Sequence, residues 1–403
     1  MIPVFILSTW LLSLLSIGIL AAAIFSIHEW QEHSWVWDVA GQESTFAPDL
    51  GANAETGLLA LGVSLLFLCF MGRFVIKLFI RGKSSAKHDQ ETDPRTVLNP
   101  TSRRRIKRPD GSELNVEIYG SDDAPPIICT HGWGLNSSEW NYLKRDLSKH
   151  FRLIVWDLPG LGHSTRPSNR DYRLEKFASD LEAVLESIGP KPAILLGHSI
   201  GGMITLTFCR LFPEALGKNV SGLVLTHTTP INPLRTTSGA GFLTIIEKPI
   251  LVPILYLTIL FSPLLWLLNW LSFRNGSAHL MNKLIVFAGT ETWRQVDFTT
   301  RFQLQASPAV LARGMLGMMG HDAIETLARI TVPTLVVSGN KDSTTKPSAS
   351  DYMQKSIPHA ELVVLSPAKH MGLIEHHLEY AETVNRFGSS LIPVMEFDPR
   401  GRD

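Results

Sequence analysis

The first 72 residues contain no lysine or arginine, and nothing else in the chain restricts its folding so severely. Residues 2–27, IPVFILSTWLLSLLSIGILAAAIFSI, carry no charge before His28. As a helix, such a run crosses the roughly 30 Å of hydrocarbon in a bilayer. A cleaved leader would begin with basic residues and have a shorter apolar stretch. A second run, GLLALGVSLLFLCFMG, begins at Gly57 and continues through Phe79 and Ile80, with Arg73 and Lys77 long enough to snorkel. Two transmembrane helices are therefore expected, at about 2–27 and 57–80. Between them lie Glu29, Glu32, Asp38, Glu43, Asp49 and Glu55, whereas Arg73, Lys77, Arg81, Lys83 and Lys87 gather at the second exit. The positive-inside bias puts both ends of this hairpin, and the catalytic domain after it, on the cytoplasmic face. Trp30, Trp35 and Trp37 suit an interfacial belt on the far side. Residues 1–90 are read as a membrane anchor, which makes the chain an integral membrane protein.

The remaining chain is long enough for a large soluble domain with an insertion. The formal net charge is zero, without the basic stripe a nucleic-acid partner requires. Cys69, Cys129 and Cys209 stand in apolar surroundings with no metal-ligand spacing, as small core hydrophobes do. SSAKHDQETDPRTVLNPTSRRR is polar and holds two prolines, as befits a linker. Beyond it ELNVEIYG alternates like a strand. PIICTHGWG, RLIVWDLPG, AILLGHS, SGLVLTHTTP, TVPTLVVSGNKD and AELVVLSPAKH are short apolar runs ending in turn residues. Helical patterns such as SSEWNYLKRDLSKH and RLEKFASDLEAVLESIG lie between them. This alternation predicts an α/β fold with a mostly parallel sheet, whose reactive groups collect at the carboxyl ends of strands.

The alternation stops between Pro230 and about Asp322. That region includes PILVPILYLTILFSPLLWLLNWLSF, long enough for a third span but interrupted by Pro249, Pro253 and Pro263. A single crossing would also separate the strands on either side of it, which must share one sheet. The expectation is a hydrophobic helical cap at 231–322, made of short helices dipping into the membrane interface. Core segments at 91–230 and 323–395 enclose it.

Gly197, Ser199 and Gly201 follow the strand pattern AILL and precede a helical one, the context of a strained turn that exposes a serine hydroxyl. Ser164, in a second Gly-His-Ser trio, leads into the polar loop RPSNRDY and reads as a turn residue. A serine needs a base and the base needs an orienting carboxylate. The last strand ends at His370 and the strand before it at Asp342. Asp322 competes for the acid role but is placed to cap the helix AIETLARI. The backbone N–H groups of Trp133 and Ile200 are in place for a developing oxyanion. His131, His163, His198 and His227 read as turn or pocket-lining residues.

These motifs together, HGWG, DLPGLGHS, GHSIGG, GNKD and KHMGLIE, resemble those of the α/β-hydrolase superfamily, in the serine branch with monoacylglycerol lipases and lipophilic esterases. The resemblance covers roughly Val97 to Phe387; Lys369 departs from the glycine usual before the histidine. Epoxide hydrolases and haloalkane dehalogenases of similar pattern carry aspartate where Ser199 stands. The resemblance implies acyl transfer through Ser199, His370 and Asp342, with no cofactor and no metal. The expected substrate is a monoacylglycerol, lysolipid or similar lipophilic ester reaching Phe242, Leu255, Trp266 and Met315 of the cap from the bilayer. A thioesterase, an acyltransferase, a carbon-carbon bond hydrolase or a non-catalytic ligand-binding membrane protein remain alternatives. Glycosylation sequons at Asn136, Asn219 and Asn275 would suit a lumenal side, against the charge asymmetry.

Overall fold

A computed structural model of the chain describes residues 2–48, 51, 53–80, 93–96 and 98–392, with the side chains of 2–7 and 80 excepted. The basic cluster Arg81, Lys83 and Lys87, the acidic Asp49, and the expected boundary near residue 90 lie outside the described residues. The two apolar runs form long helices, α1 (Ile2–His33) and α2 (Ala54–Ile80), packed side by side. Each exceeds the stretch read from hydropathy. At α2 the extension has a cause in Asn53, whose side chain accepts from the Thr56 N–H at 2.8 Å and starts the helix early. The loop between them holds a small antiparallel hairpin of β1 (Trp35–Asp38) and β2 (Glu43–Phe46).

The remaining strands form one sheet: β3 (Ser102–Lys107), β4 (Glu113–Tyr119), β5 (Pro126–Thr130), β6 (Arg152–Trp156), β7 (Ala193–His198), β8 (Val220–Thr226), β9 (Thr334–Gly339) and β10 (Ala360–Leu365). Their order is β10-β9-β8-β7-β5-β6-β4-β3, parallel from β10 to β6 and antiparallel at β4 and β3. The segment SRRRIK, whose first residues end the polar linker, is not linker but strand β3. Arg108-Pro109-Asp110-Gly111 is a turn sequence, with Asp110 Oδ1 accepting from the Ser112 N–H at 2.9 Å, and it folds the arginine-rich segment back onto β4.

Helices cover both faces: α3 (Asn141–Leu147), α4 (Leu174–Ser187) and α5 (Ile200–Leu211) precede the cap. Alternate residues of each strand enter different cores. Ile128, Ile154, Leu195 and Leu223 pack with Phe177 and Leu181 of α4, while Cys129, Val155, Leu196 and Val224 pack with Trp140 and Phe387. This burial on both sides explains why the parallel strands read as continuous apolar runs. Register then places the carboxyl ends together: Thr130 pairs with Gly197, His198 with Thr226, Thr226 with Val337, and Gly339 with Leu365.

The insertion comprises α6 (Ala240–Ile246), a π-helical turn at Glu247–Leu251, α7 (Val252–Leu260), α8 (Ser262–Asn275), α9 (Ser277–Val286), α10 (Trp293–Gln305) and α11 (Pro308–Met319). Its first helices are not all short. Ala240–Leu260 runs as one helix of 21 residues, long and apolar enough by length and composition to cross a membrane. The π turn accommodates Pro249, and Pro253 sits in the first turn of α7 where its missing N–H is harmless. The break comes later, at Phe261–Pro263. Ile231 bridges Asp322 and the Ala323 N–H donates to the Pro230 carbonyl at 2.8 Å, so the insertion leaves and returns at one point. After it come α12 (Ile324–Leu327), α13 (Pro347–Ser356), α14 (Gly372–Glu375) and α15 (His377–Ser390).

The cap rests on the long helices. Ser16 Oγ lies 3.0 Å from Ser272 Oγ, Asn275 Nδ2 donates to Ser16 Oγ at 2.9 Å, and Trp10 Nε1 donates to Thr258 Oγ1 at 3.0 Å. Gly72 lets α2 approach the backbone of Asn275, since a Cβ there would stand 2.4 Å from its carbonyl oxygen.

Candidate active site

At the end of β7 the chain must turn sharply into α5, and glycines permit it. A Cβ on Gly197 would lie 2.3 Å from the Gly201 carbonyl carbon, and one on Gly201 would lie 2.1 Å from the Thr130 oxygen. Ser199 takes φ 54° and ψ −115°, a strained conformation for a residue with a side chain. The strain turns its hydroxyl to the loops after β9 and β10. There His370 Nε2 lies 3.1 Å from Ser199 Oγ, and His370 Nδ1 lies 2.8 Å from Asp342 Oδ2. All three residues are buried.

Asp342 is held by five donors. Oδ1 accepts from the Thr344 and Thr345 N–H groups at 2.8 and 3.1 Å. Oδ2 accepts from Thr345 Oγ1 at 2.9 Å, from His370, and from His227 Nδ1 at 3.2 Å. Burial acts to raise the Asp342 carboxyl, but His370 and His227 outweigh it and hold the group well below the ordinary carboxylate range. An ionised carboxylate only accepts, so both imidazoles carry their proton on Nδ1. That leaves His370 Nε2 as a lone pair facing Ser199. Burial lowers the His370 pKa to about 4, against the opposing pull of Asp342.

His227 is the residue that sequence reasoning missed. It follows β8 in THTTP, buried, with φ 44°, where the sequence suggests only a turn or pocket-lining residue. Its signal was its position at the end of the strand beside β9, where the Asp342 loop begins. His227, Asp342 and His370 also offer one ligand atom each within 4.8 Å of one another. In the hydrogen-bonded arrangement both Nδ1 lone pairs are replaced by protons aimed at the carboxylate, so a cation would have to displace them.

The loop after β5 supplies the other wall. Gly132 N–H donates to Glu139 Oε2 at 2.9 Å, and Trp133 is fixed by its Nε1–H donating to the Leu311 carbonyl of α11 at 3.0 Å. Among the described residues, neither the Trp133 nor the Ile200 backbone N–H has a protein acceptor. Ile200 is the first residue of α5, where an unpaired N–H and the positive end of the helix coincide. His131 accepts from the Leu158 N–H at 3.0 Å and supports the turn. His198 is buried with Nδ1 2.5 Å from Glu139 Oε1, a close approach outside hydrogen-bond alignment.

The competing residues are occupied elsewhere. Ser164 Oγ donates to the Asp157 carbonyl at 2.6 Å and accepts from the Asn115 N–H at 2.8 Å. Asp322 Oδ1 accepts from the Ile324 N–H at 3.1 Å, at the start of α12. Lys369 Nζ donates to the Leu284 carbonyl at 2.5 Å, which ties the histidine loop to the cap in place of the usual glycine. The four cap residues do not form one lining. Leu255 and Met315 are buried in one cluster with Trp133 and Ile200, whereas Phe242 and Trp266 face outward, 66% and 47% exposed.

A family model of the alpha/beta hydrolase fold matches residues 125–245 and 276–377, more than half of the chain. A pimeloyl-[acyl-carrier protein] methyl ester esterase from Aeromonas salmonicida is 26% identical over 279 residues, covering 68% of this chain and 98% of that protein. Lipase 1 of Psychrobacter immobilis is 24% identical over 299 residues, covering 70% of this chain and 82% of its own. Among solved structures, an esterase from Exiguobacterium antarcticum superposes with a TM-score of 0.58 at 23% identity, over 72% of this chain and all of that one.

Proposed function

The chain belongs to the α/β-hydrolase family and is an ester hydrolase, and from that premise we propose that Ser199 is its nucleophile, His370 its general base and Asp342 the orienting acid. The observation that carries this reading is the unbroken relay from Asp342 Oδ2 through His370, 2.8 Å on one side and 3.1 Å on the other, to Ser199 Oγ. His370 Nε2 takes the Ser199 proton as Oγ bonds to the acyl carbon. The carbonyl oxygen becomes an oxyanion beside the Trp133 and Ile200 N–H groups. As it collapses, His370 returns the proton to the departing alcohol. Water then gives its proton to His370, attacks the acyl-enzyme and frees the acid, and Ser199 recovers its proton.

The substrate we propose is a lipophilic ester, a monoacylglycerol, lysolipid or similar molecule, taken from the membrane in which α1 and α2 anchor the enzyme. Its support is the cap. Phe242, Ile245, Leu260, Leu264 and Leu267 are exposed on α6 to α8, and α8 packs on both long helices. The relatives' names, a methyl ester esterase and a lipase, agree with an acyl ester. The cytoplasmic face is favoured because two of the three sequon amides are already engaged: Asn136 Nδ2 donates to Gln305 at 2.6 Å and Asn275 Nδ2 to Ser16.

A fluorophosphonate probe tests the nucleophile. Labelling of the wild type that vanishes in Ser199→Ala, with turnover lower by about 10⁴ or more, is expected; retained turnover rejects the assignment. A series of monoesters with increasing acyl length tests the substrate. Preference for the shortest, water-soluble members would count against it.

A further inference from the structure

Three arginines stand together without acidic partners. Arg166 and Arg170 are on the loop after β6 and Arg313 is on α11; among the described residues none of them pairs with a carboxylate. Arg313 reaches only the Ala309 carbonyl, at 3.3 Å. Arg170, Arg313, Tyr172 and Tyr256 contribute to a cavity of about 450 Å³. Arg166 borders it, since a Cβ on Gly160 would lie 3.0 Å from the Tyr172 hydroxyl and 3.3 Å from Arg166 Cγ. Asp171, the acid in its wall, is taken by Arg173 at 2.7 Å. Partial burial and then the like charges of Arg170 and Arg166 lower the Arg313 pKa, so the guanidiniums share one field. Positive groups gathered around a cavity without counter-charge form a site for an anion.

The opposite wall identifies the anion's setting. Tyr256 and Ile259 belong to α7, whose outer surface exposes Tyr256, Leu257 and Leu260. Thr258 of the same helix is bonded to Trp10 of α1. Gly62 meets Ala23 and Ile27, and Gly72 and Ser16 both meet Asn275, so Trp10 lies toward the Lys77 end of the hairpin. The cavity therefore has apolar helix on one side and arginines on the other, at the basic margin of the anchor. A phosphate suits the paired donors of a guanidinium, and acyl chains suit the exposed face of α7.

We infer that this cavity holds the phosphate headgroup of an anionic phospholipid from the leaflet against which the cap rests. The inference rests on the membrane-anchored reading above. Its test is native mass spectrometry of the full chain released from nanodiscs of mixed phosphatidylcholine and phosphatidylglycerol. The wild type should retain phosphatidylglycerol severalfold over phosphatidylcholine. A triple variant, Arg166→Gln with Arg170→Gln and Arg313→Gln, should lose that preference, and a charge-matched control with Lys149→Gln, Lys218→Gln and Lys355→Gln should keep it. Unchanged fluorophosphonate labelling shows that each variant is folded. Equal retention in wild type and triple variant overturns the inference, as does the lack of any preference in the wild type. Binding of inorganic phosphate that depends on the three arginines, with no preference for phosphatidylglycerol, assigns the site to a free anion and overturns the lipid assignment. Alkaline carbonate extraction reports on anchoring separately: release of the chain defeats the membrane reading, whereas a retained chain without headgroup preference defeats only this one.

Discussion

At the site, two histidines compete for one carboxylate oxygen, and this competition has a pH signature. In the proposed mechanism His370 must be neutral to accept the Ser199 proton, and its pKa lies near 4, below the ordinary imidazole value. Because the folded value is lowered, the active form persists as pH falls and is lost only on passing through about 4. The expected kcat/KM profile is therefore flat from neutrality to about pH 5 and falls below it; a limb near 6.5 would contradict the burial of His370. His227 supplies a second check. Its presence lowers His370 further, so His227→Leu should move the acid limb to higher pH. Losing a hydrogen bond to an ionised group should also cut kcat by about tenfold with little change in KM, and His227→Asn, which keeps a donor, should recover part of it. Loss of expression without a shifted limb would make His227 merely a packing residue.

Among the elements, the turn after β7 was the most legible feature, because its requirement is local. Glycines on both sides of Ser199 are needed by atoms a few residues away and by the adjacent strand, and that need is written within six letters. Gly201→Ala should accordingly destabilise the fold by about 1–3 kcal/mol in thermal unfolding and remove probe labelling, since its Cβ would meet the Thr130 backbone. Gly241→Ala, at a helical position with nothing within 4 Å, should leave stability unchanged or raise it by up to about 1 kcal/mol in the same measurement. Asp342 and His370 could be named from strand order. His227 could not, because its role depends on the register that brings the ends of β8 and β9 together. β3 was hidden by its arginines, which an exposed edge strand tolerates: Arg103, Arg104 and Arg105 all face solvent. The directions of Phe242 and Trp266 were equally illegible. Helical spacing gives a face but not the neighbour it meets, and here the neighbours of α8 are α1 and α2, more than 180 residues away in sequence.

For the whole molecule, charge asymmetry and the clasped insertion make one topological prediction. In intact cells, a membrane-impermeant maleimide should label Ser44→Cys, in the β1–β2 hairpin, from outside, and Lys355→Cys, on α13, only after permeabilisation. The reverse pattern would invert the orientation. The native Cys69, Cys129 and Cys209 are buried, which keeps the background low. The bond between Trp10 and Thr258 has a further consequence. Thr258 lies on α7, α7 packs against α11, and α11 receives the Trp133 indole through Leu311. A bilayer thinned by short acyl tails tilts the helices that span it. With α1 in the bilayer as proposed, its tilt would be felt by the loop over Ser199, and turnover would then be geared to lipid tail length even for an ester too small to notice the membrane itself.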